Sequence, residues 1–327
     1  QCVYADPAKT FEIRSKMKVE RFQDFDAFVE SVDGVDSVML PRNIQRRLWC
    51  NTRLNVEDLH VQLGSLGSGN IVEGQSFSSG YLIYLPLTND ASYAANGRSL
   101  DVNSFAVLEP GCEFSICTED QHDWCAVVIP TQLFNQWEPQ SNTHNRGVRV
   151  TPAIPEAAKQ FRTLVQKIIA ARAACPEIES SPAATAAAAE FLKLAGVIVQ
   201  EPALADRENR DGRPRIPRDE VIRRAKDVIE NHLPRLPLIT ELAKLTGVSE
   251  RTLRNAFNEY YGVGPVHYLQ LRQLRQVHHE LRAANAEEMR VSDILTKNGV
   301  WEFGRFAARY RRQFGELPSD TLRATPR

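Results

Sequence analysis

The stretch Ile239-Thr240-Glu241-Leu242-Ala243-Lys244-Leu245-Thr246-Gly247-Val248-Ser249-Glu250-Arg251-Thr252-Leu253-Arg254 decides the fold of the C-terminal third. Leu242 and Ala243 give a first helix an apolar face, with a small residue where a second helix must come close. Gly247 can take a positive φ and end that helix without strain. Ser249 suits the N-cap of the next helix, whose free amides its hydroxyl can satisfy. Leu253 and Phe257, four apart, then face inward, which leaves Glu250, Arg251, Arg254 and Asn255 outward. Two helices joined by a tight glycine turn, the second displaying Arg and Asn, form the geometry of a major-groove reader. The candidate DNA contacts are Ser249, Glu250, Arg251, Thr252, Arg254 and Asn255. An ordinary helical hairpin has the same outline, so this segment alone does not decide the function.

Moving outward, the pattern recurs. Val291-Ser292-Asp293-Ile294-Leu295-Thr296-Lys297-Asn298-Gly299-Val300 repeats the helix and the glycine turn, and Phe306, Tyr310 and Phe314 continue an inward stripe. The outward candidates of this second unit are Trp301, Glu302, Arg305, Arg309, Arg311 and Arg312. Its opening, Trp301-Glu302-Phe303-Gly304, offers few groups able to pair with a base edge. Arg305 is the chief base-reading candidate, and Arg309, Arg311 and Arg312 suit phosphates, which position a protein without reading sequence. Between the units, Pro265 to Arg282 reads as one helix with Leu271, Leu274, Val277 and Leu281 on one side. A rod of that length, roughly 27 Å at 1.5 Å per residue, is expected to set two recognition helices about one DNA turn apart, near 34 Å. In His278-His279, adjacent helical positions point about 100° apart. They read as one solvated and one partly buried ring rather than a metal or pH site.

Upstream lies a linker, residues 201–217, with Asp206, Arg207, Glu208, Arg210, Asp211, Gly212, Pro214 and Pro217 and little that could pack. Residues 1–200 form the other predicted domain. Short apolar runs at 59–63, 81–85, 105–108 and 124–129 alternate with turn signals at Gly64, Gly67 and Gly69, at Asn96-Gly97 and at Pro110-Gly111. That punctuation predicts a β-sandwich or small barrel, with a short helix within Phe22 to Val32. From Pro152 the period becomes helical, through Phe161, Leu164, Val165, Ile168 and Ile169, then through Phe191, Leu192, Leu194 and Ile198. These apolar faces exceed what one sandwich face needs, which predicts a homodimer through residues 152–200. Tyr81, Tyr84 and Trp124 are candidates to line an effector pocket, with core packing the plainer alternative. The fold class is therefore α+β in two domains: a β-rich domain with dimerisation helices, then an all-α domain with two helix-turn-helix units in residues 218–327.

Charge divides the same way. The net charge is −1, yet residues 213–327 carry 21 Lys and Arg against 14 Asp and Glu, while the remainder carries 19 against 27. A basic module on an acidic one fits a polyanion partner for the first and a different role for the second. No apolar run approaches the roughly 20 residues of a membrane span. The first residues lack the pattern of a secretory signal. The six cysteines form no CxxC pair and read as reduced, mostly buried thiols. These features predict a cytoplasmic protein without membrane attachment. An enzyme on the β-rich domain is the main competitor. A metal-dependent cupin needs a His-x-His pair and a Glu, whereas only His60, His122 and His144 lie outside the C-terminal part. There is no GxSxG, Walker A loop or GxGxxG, and Gly64-Ser65-Leu66-Gly67-Ser68-Gly69 reads as a hairpin loop. No cofactor, metal site or catalytic residue is expected. A third class is an interaction or anti-regulatory protein that has lost DNA binding.

Residues 218–325 resemble the DNA-binding domain of the AraC/XylS family of bacterial transcription regulators. The residues that carry the resemblance are Leu242-Ala243, Gly247-Val248-Ser249, Arg251, Leu253, Phe257, Gly262, Pro265 and Tyr268. In the second unit they are Ile294, Gly299, Phe306, Tyr310, Phe314-Gly315 and Pro318. The β-rich region followed by helices is similar to the family's cupin-like effector and dimerisation domain. The chain departs from the family pattern at Asn255, where Arg is usual. In the second unit it departs at Leu295 (for Ala), Val300 (for an aromatic), Gly304 (for Ser) and Ala307-Ala308 (for Ser-Arg). The first unit is thus expected to do most of the base reading. The resemblance implies sequence-specific binding of promoter double-stranded DNA by an activator-type regulator. RNA polymerase and a small-molecule effector are its further implied partners.

Overall fold

A computed structural model of the chain describes residues 18–56, 58–134, 148–152, 159–161, 163–167, 216–232 and 234–324, with isolated positions between 170 and 190. The chain divides into two compact units, Gln1–Met39 with Asn43–Glu208, and Leu40–Arg42 with Asn209–Arg327.

The first unit is built on twelve strands: β1 (Lys18–Phe22), β2 (Val35–Arg42), β3 (Trp49–Val56), β4 (Leu59–Leu66), β5 (Gly69–Ser76), β6 (Gly80–Pro86), β7 (Tyr93–Ala95), β8 (Arg98–Leu100), β9 (Ser104–Leu108), β10 (Glu113–Thr118), β11 (His122–Pro130) and β12 (Val148–Pro152). They form two sheets, in the orders β1-β3-β4-β11-β6-β9-β12 and β2-β5-β10-β7-β8. The pairings β1–β3, β3–β4, β4–β11, β11–β6, β6–β9, β9–β12, β5–β10, β10–β7 and β7–β8 are antiparallel. The result is a β-sandwich. Short helices α1 (Phe25–Glu30) and α2 (Thr131–Phe134) accompany it. Asp24 caps α1 by accepting from Asp26 N at 2.8 Å and Ala27 N at 3.2 Å. Asn96 and Gly97, with φ of 46° and 74°, make the two-residue turn that joins β7 to β8.

The central strands of the larger sheet are buried on both faces, which is why they read as continuous apolar runs. A two-residue period sends Tyr81, Ile83, Leu85, Phe105, Val107, Val127 and Ile129 to one core. Phe161 and Val165, from the helical stretch at 159–167, are buried in the same core. Leu82, Tyr84, Ala106, Leu108, Trp124, Ala126 and Val128 face the other core, shared with Met39, Phe114 and Ile116 of the smaller sheet. Phe161 and Val165, expected at a dimer seam, thus lie against the sheet of their own chain. The second expected dimer helix, with Phe191, Leu192, Leu194 and Ile198, and most of the linker lie outside the described residues.

The second unit is helical: α3 (Arg218–Asn231), α4 (Ile239–Thr246), α5 (Glu250–Tyr261), α6 (Pro265–Ala283), α7 (Val291–Lys297), α8 (Phe303–Phe314) and α9 (Pro318–Arg323). Helix α3 buries Val221, Ile222, Ala225 and Ile229 and packs on α4 and α5. Around Phe257, Tyr261 and Tyr268 the aromatic rings meet at 5.3 Å edge-on and 4.7 Å stacked. A second core gathers Leu274, Val277, Leu281, Ile294, Leu295, Val300, Phe306, Tyr310 and Leu322. Helix α6 opens on Pro265, whose missing N–H costs nothing in a first turn. Its buried residues run from Tyr268 in the first core to Leu281 in the second, so one helix serves both.

Candidate nucleic-acid interface

The first helix-turn-helix is assembled as its sequence dictates. Gly247 has φ 73°, and Val248 N donates to Ala243 O at 3.1 Å, which closes α4. Ser249 Oγ accepts from Thr252 N at 3.1 Å and lies 2.9 Å from Thr252 Oγ1, so both hydroxyls belong to the cap of α5. Leu253, Ala256 and Phe257 anchor α5 in the core. Its other side displays Arg251, Thr252, Arg254 and Asn255, all exposed, with Glu250 half-buried. Among the described residues neither Arg251 nor Arg254 is engaged in an ion pair. Both guanidiniums are therefore available to acceptors from outside.

The second unit repeats the turn but not the helix start beyond it. Gly299 has φ 71°, and Val300 N donates to Leu295 O at 2.9 Å, the bond made by Val248 in the first unit. Helix α8 starts at Phe303, two residues later than Trp301, and its N-cap, Glu302, makes no side-chain capping bond. The Glu302 carboxylate instead accepts from Arg305 at 3.0 and 3.1 Å, both side chains being solvent-exposed. Arg309 is half-buried, with its guanidinium 5.9 Å from the centre of the Phe306 ring. It is less free to seek phosphate than its sequence position implies. Arg311 and Arg312 are exposed in the last turn, where cations also favour the helix dipole.

In the first unit of the chain a cavity opens between the sheets, with about 50 Å³ available to the centre of a water-sized sphere. One water needs roughly 10–15 Å³ by that measure, so the space holds a few. Tyr84 and Trp124, stacked at 6.0 Å, line it. Tyr81, three residues from Tyr84 on the same strand, points to the opposite core, so the expected trio is not brought together. The lining contains no Lys or Arg. Burial pushes the Tyr84 phenol well above its ordinary range, so it stays a neutral hydroxyl. Asp33, paired with Arg53 at 2.8 Å, stands on the wall with four groups that sequence reasoning missed: Gln62, Asn70, Thr118 and His122. Each of the four lies on a strand, where a polar residue ordinarily signals the solvent face.

The His122 ring is built into the wall. Its Nδ1 faces two carbonyls, Asp120 O at 2.9 Å and Ser68 O at 3.1 Å, and so carries the proton. Its Nε2 lies 3.3 Å from Thr118 Oγ1, which also accepts from Asn70 N at 3.0 Å. His60 is elsewhere, with Nδ1 2.7 Å from Asn55 Oδ1. Burial lowers its pKa, partly opposed by Asp33. His144 lies outside the described residues. Among the described residues no group of three His, Cys, Asp or Glu is placed to hold a metal ion, and no helix is long and apolar enough to cross a membrane. Cys112 and Cys125 are buried, and burial raises both thiols.

Comparison with known proteins places both units. A helix-turn-helix domain family matches residues 242–324, and an AraC-binding-like domain family matches residues 52–195. The chain is 38% identical over 100 residues to the XylDLEGF operon transcriptional activator of Pseudomonas putida, covering 31% of each protein. It is 30% identical over 106 residues to the probable thc operon regulatory protein of Rhodococcus erythropolis, covering 32% of each. The chain thus spans about a third of the length of these two curated relatives. A solved structure of a probable AraC family transcriptional regulator from Rhodopseudomonas palustris is 33% identical, over 32% of this chain and 98% of that one, with a TM-score of 0.29. With one family matched on the sandwich and the other on the paired helix-turn-helix units, the chain belongs to the AraC/XylS family of bacterial transcription regulators.

Proposed function

We propose that the protein is a sequence-specific DNA-binding regulator that activates transcription, with residues 218–327 on promoter DNA, 201–217 as linker and 1–200 as the sensing and dimerisation domain. The observation that carries this reading is the outer face of α5. Among the described residues, Arg251 and Arg254 stand exposed and without ionic partners beside Asn255 on a helix whose other face is fixed in the core. Arg matches guanine and Asn matches adenine in the major groove. The relatives, named as operon activators and regulators, favour the same reading. Incubating the full chain with a randomised duplex pool tests it: repeated selection should enrich one motif. If no sequence is enriched above the starting pool, the reading falls.

The cavity in the sandwich is the proposed effector site. Its wall is mostly apolar, with a few hydrogen-bonding groups, the carboxylate of Asp33 already paired with Arg53, and no Lys or Arg. An uncharged small molecule suits it and a free carboxylate does not, because burying an unpaired anion costs several kcal/mol. A cytoplasmic homodimer is the proposed assembly, its seam lying elsewhere than on Phe161 and Val165. RNA polymerase is the proposed partner at the promoter.

A further inference from the structure

The second recognition helix presents an unusual surface. Trp301 is 68% exposed and Phe303 is 40% exposed, within three residues of each other. Single exposed apolar residues are common and need no explanation. Two aromatics separated by one residue at the head of a recognition helix are different, since each leaves a large apolar face in water. Gly304 beside them adds a second oddity. A Cβ at that position would meet nothing within 4 Å, and its backbone does not have a positive φ. Neither packing nor conformation requires glycine there, and in a helix it costs about 0.5–1 kcal/mol relative to alanine. A missing side chain on an open helix face lets something outside come close.

The comparison within the chain sharpens this. Leu253 and Phe306 are the first deeply buried residues of α5 and α8. Counting from them, the places of Arg251, Arg254 and Asn255 are taken in α8 by Gly304, Ala307 and Ala308. The groups that hydrogen-bond bases in the first unit are gone, and small residues replace them. Phe303 takes the place of Glu250, and Trp301 lies in the turn before it. Arg305 is held by Glu302, while Arg311 and Arg312, exposed on the same helix, supply the charge for a phosphate-lined groove.

Resting on the DNA-binding reading above, we infer that Trp301 and Phe303 read thymine. Their rings lie against C5-methyl groups in the major groove, and Gly304 lets the helix approach closely enough for that contact. The second unit then reads its half of the site through apolar groups, where the first reads through hydrogen bonds. The methyl of thymine is the one apolar feature that the major groove offers.

Duplexes enriched by the full chain are the probe. Each thymine is replaced in turn by deoxyuridine, which removes the C5 methyl and changes nothing else. We expect at least one thymine at which the wild-type chain loses about three- to five-fold in affinity, the size of one buried carbon. The Trp301→Ala or Phe303→Ala protein should be indifferent to that replacement while keeping the sequence preference set by the first unit. Both residues are exposed, and circular dichroism verifies that the variants fold. The inference is overturned if no uracil-sensitive thymine loses its sensitivity in either variant. It is also overturned if Trp301→Ala weakens all sequences equally, or leaves the uracil profile intact and lowers only transcription by added polymerase, which marks a protein contact. Failure of the full chain to enrich any sequence removes the DNA-binding reading itself, and this inference with it.

Discussion

The Nδ1 atom of His278 lies 2.5 Å from the hydroxyl of Tyr310, tying α6 to α8 inside the second core. The chain of bonds beyond it fixes the direction of each. Thr321 Oγ1 donates to Glu316 Oε1 at 2.5 Å, so its oxygen accepts from the Tyr310 hydroxyl at 2.8 Å. The Tyr310 oxygen is then left to accept only, and His278 Nδ1 is the donor. His278 also stacks on Phe314 at 4.0 Å, while His279 is exposed.

Replacing Tyr310 by Phe takes away both the donor for Thr321 and the acceptor for His278. A buried group stripped of its partner costs about 1–3 kcal/mol, so urea unfolding of Tyr310→Phe should show a loss of that size. A change below about 0.5 kcal/mol, the low end for one net hydrogen bond, would mean that the network contributes nothing to stability.

The two recognition helices are capped unequally, and stability should register the difference. Ser249→Ala removes a side-chain cap and should cost about 1 kcal/mol. Glu302→Ser supplies a cap that α8 lacks and should stabilise by a similar amount. Thermal unfolding of both variants checks the pair, and a destabilised Glu302→Ser protein would show that the exposed Glu302–Arg305 ion pair outweighs a cap.

On the first unit, Arg251→Ala, Arg254→Ala and Asn255→Ala should each cost about 1–3 kcal/mol of binding and relax preference at one position. Binding of each variant to a panel of single-base changes gives the answer. Uniform loss across the panel would reassign these side chains to phosphate.

Exposed Arg311 and Arg312 should act through charge alone. Replacing both by Gln should flatten the dependence of log affinity on log salt, by about 0.9 per lost phosphate contact, and leave the ranking of sequences unchanged. A salt titration with and without the pair of substitutions measures it. An unaltered slope would assign the two arginines to the helix dipole.

Gly64 lies opposite Trp124 in the β4–β11 register, and a Cβ there would come within 2.2 Å of the indole. Gly64→Ala must therefore displace Trp124 from the wall of the cavity. Overpacking of this kind costs about 1–3 kcal/mol, and the tryptophan emission should shift as the ring moves. A variant of wild-type stability and spectrum would mean that the strand simply bends away.

The helical unit was legible because its signals are local. Gly247, Ser249, Leu253 and Phe257 state a turn, a cap and a buried face within a dozen residues, and the structure has each of them. The sandwich was legible only at its centre, where 81–85 and 124–129 are apolar on both faces. Strand β1, Lys-Val-Glu-Arg-Phe, has exposed Lys18, Val19 and Arg21, and among the described residues it pairs with β3 alone, so little apolar patterning marks it. The cavity was half legible. Its aromatics could be guessed, but proximity in sequence paired Tyr81 with Tyr84, whereas the pleat of a strand separates them. Gln62, Asn70 and Thr118 were invisible, because only the meeting of two sheets turns a polar strand residue inward.

The matching turns at Gly247 and Gly299 bear on how such a protein changes its target. Each turn is held by the same backbone bond, from the valine after the glycine, so neither asks anything of the residues that point outward. The outward positions accordingly differ: arginine and asparagine in one unit, glycine, alanine and aromatics in the other. Two such units on one scaffold can therefore be rewritten separately. On the proposed DNA-binding reading, a new site would be acquired half at a time, while the other half holds the protein in place.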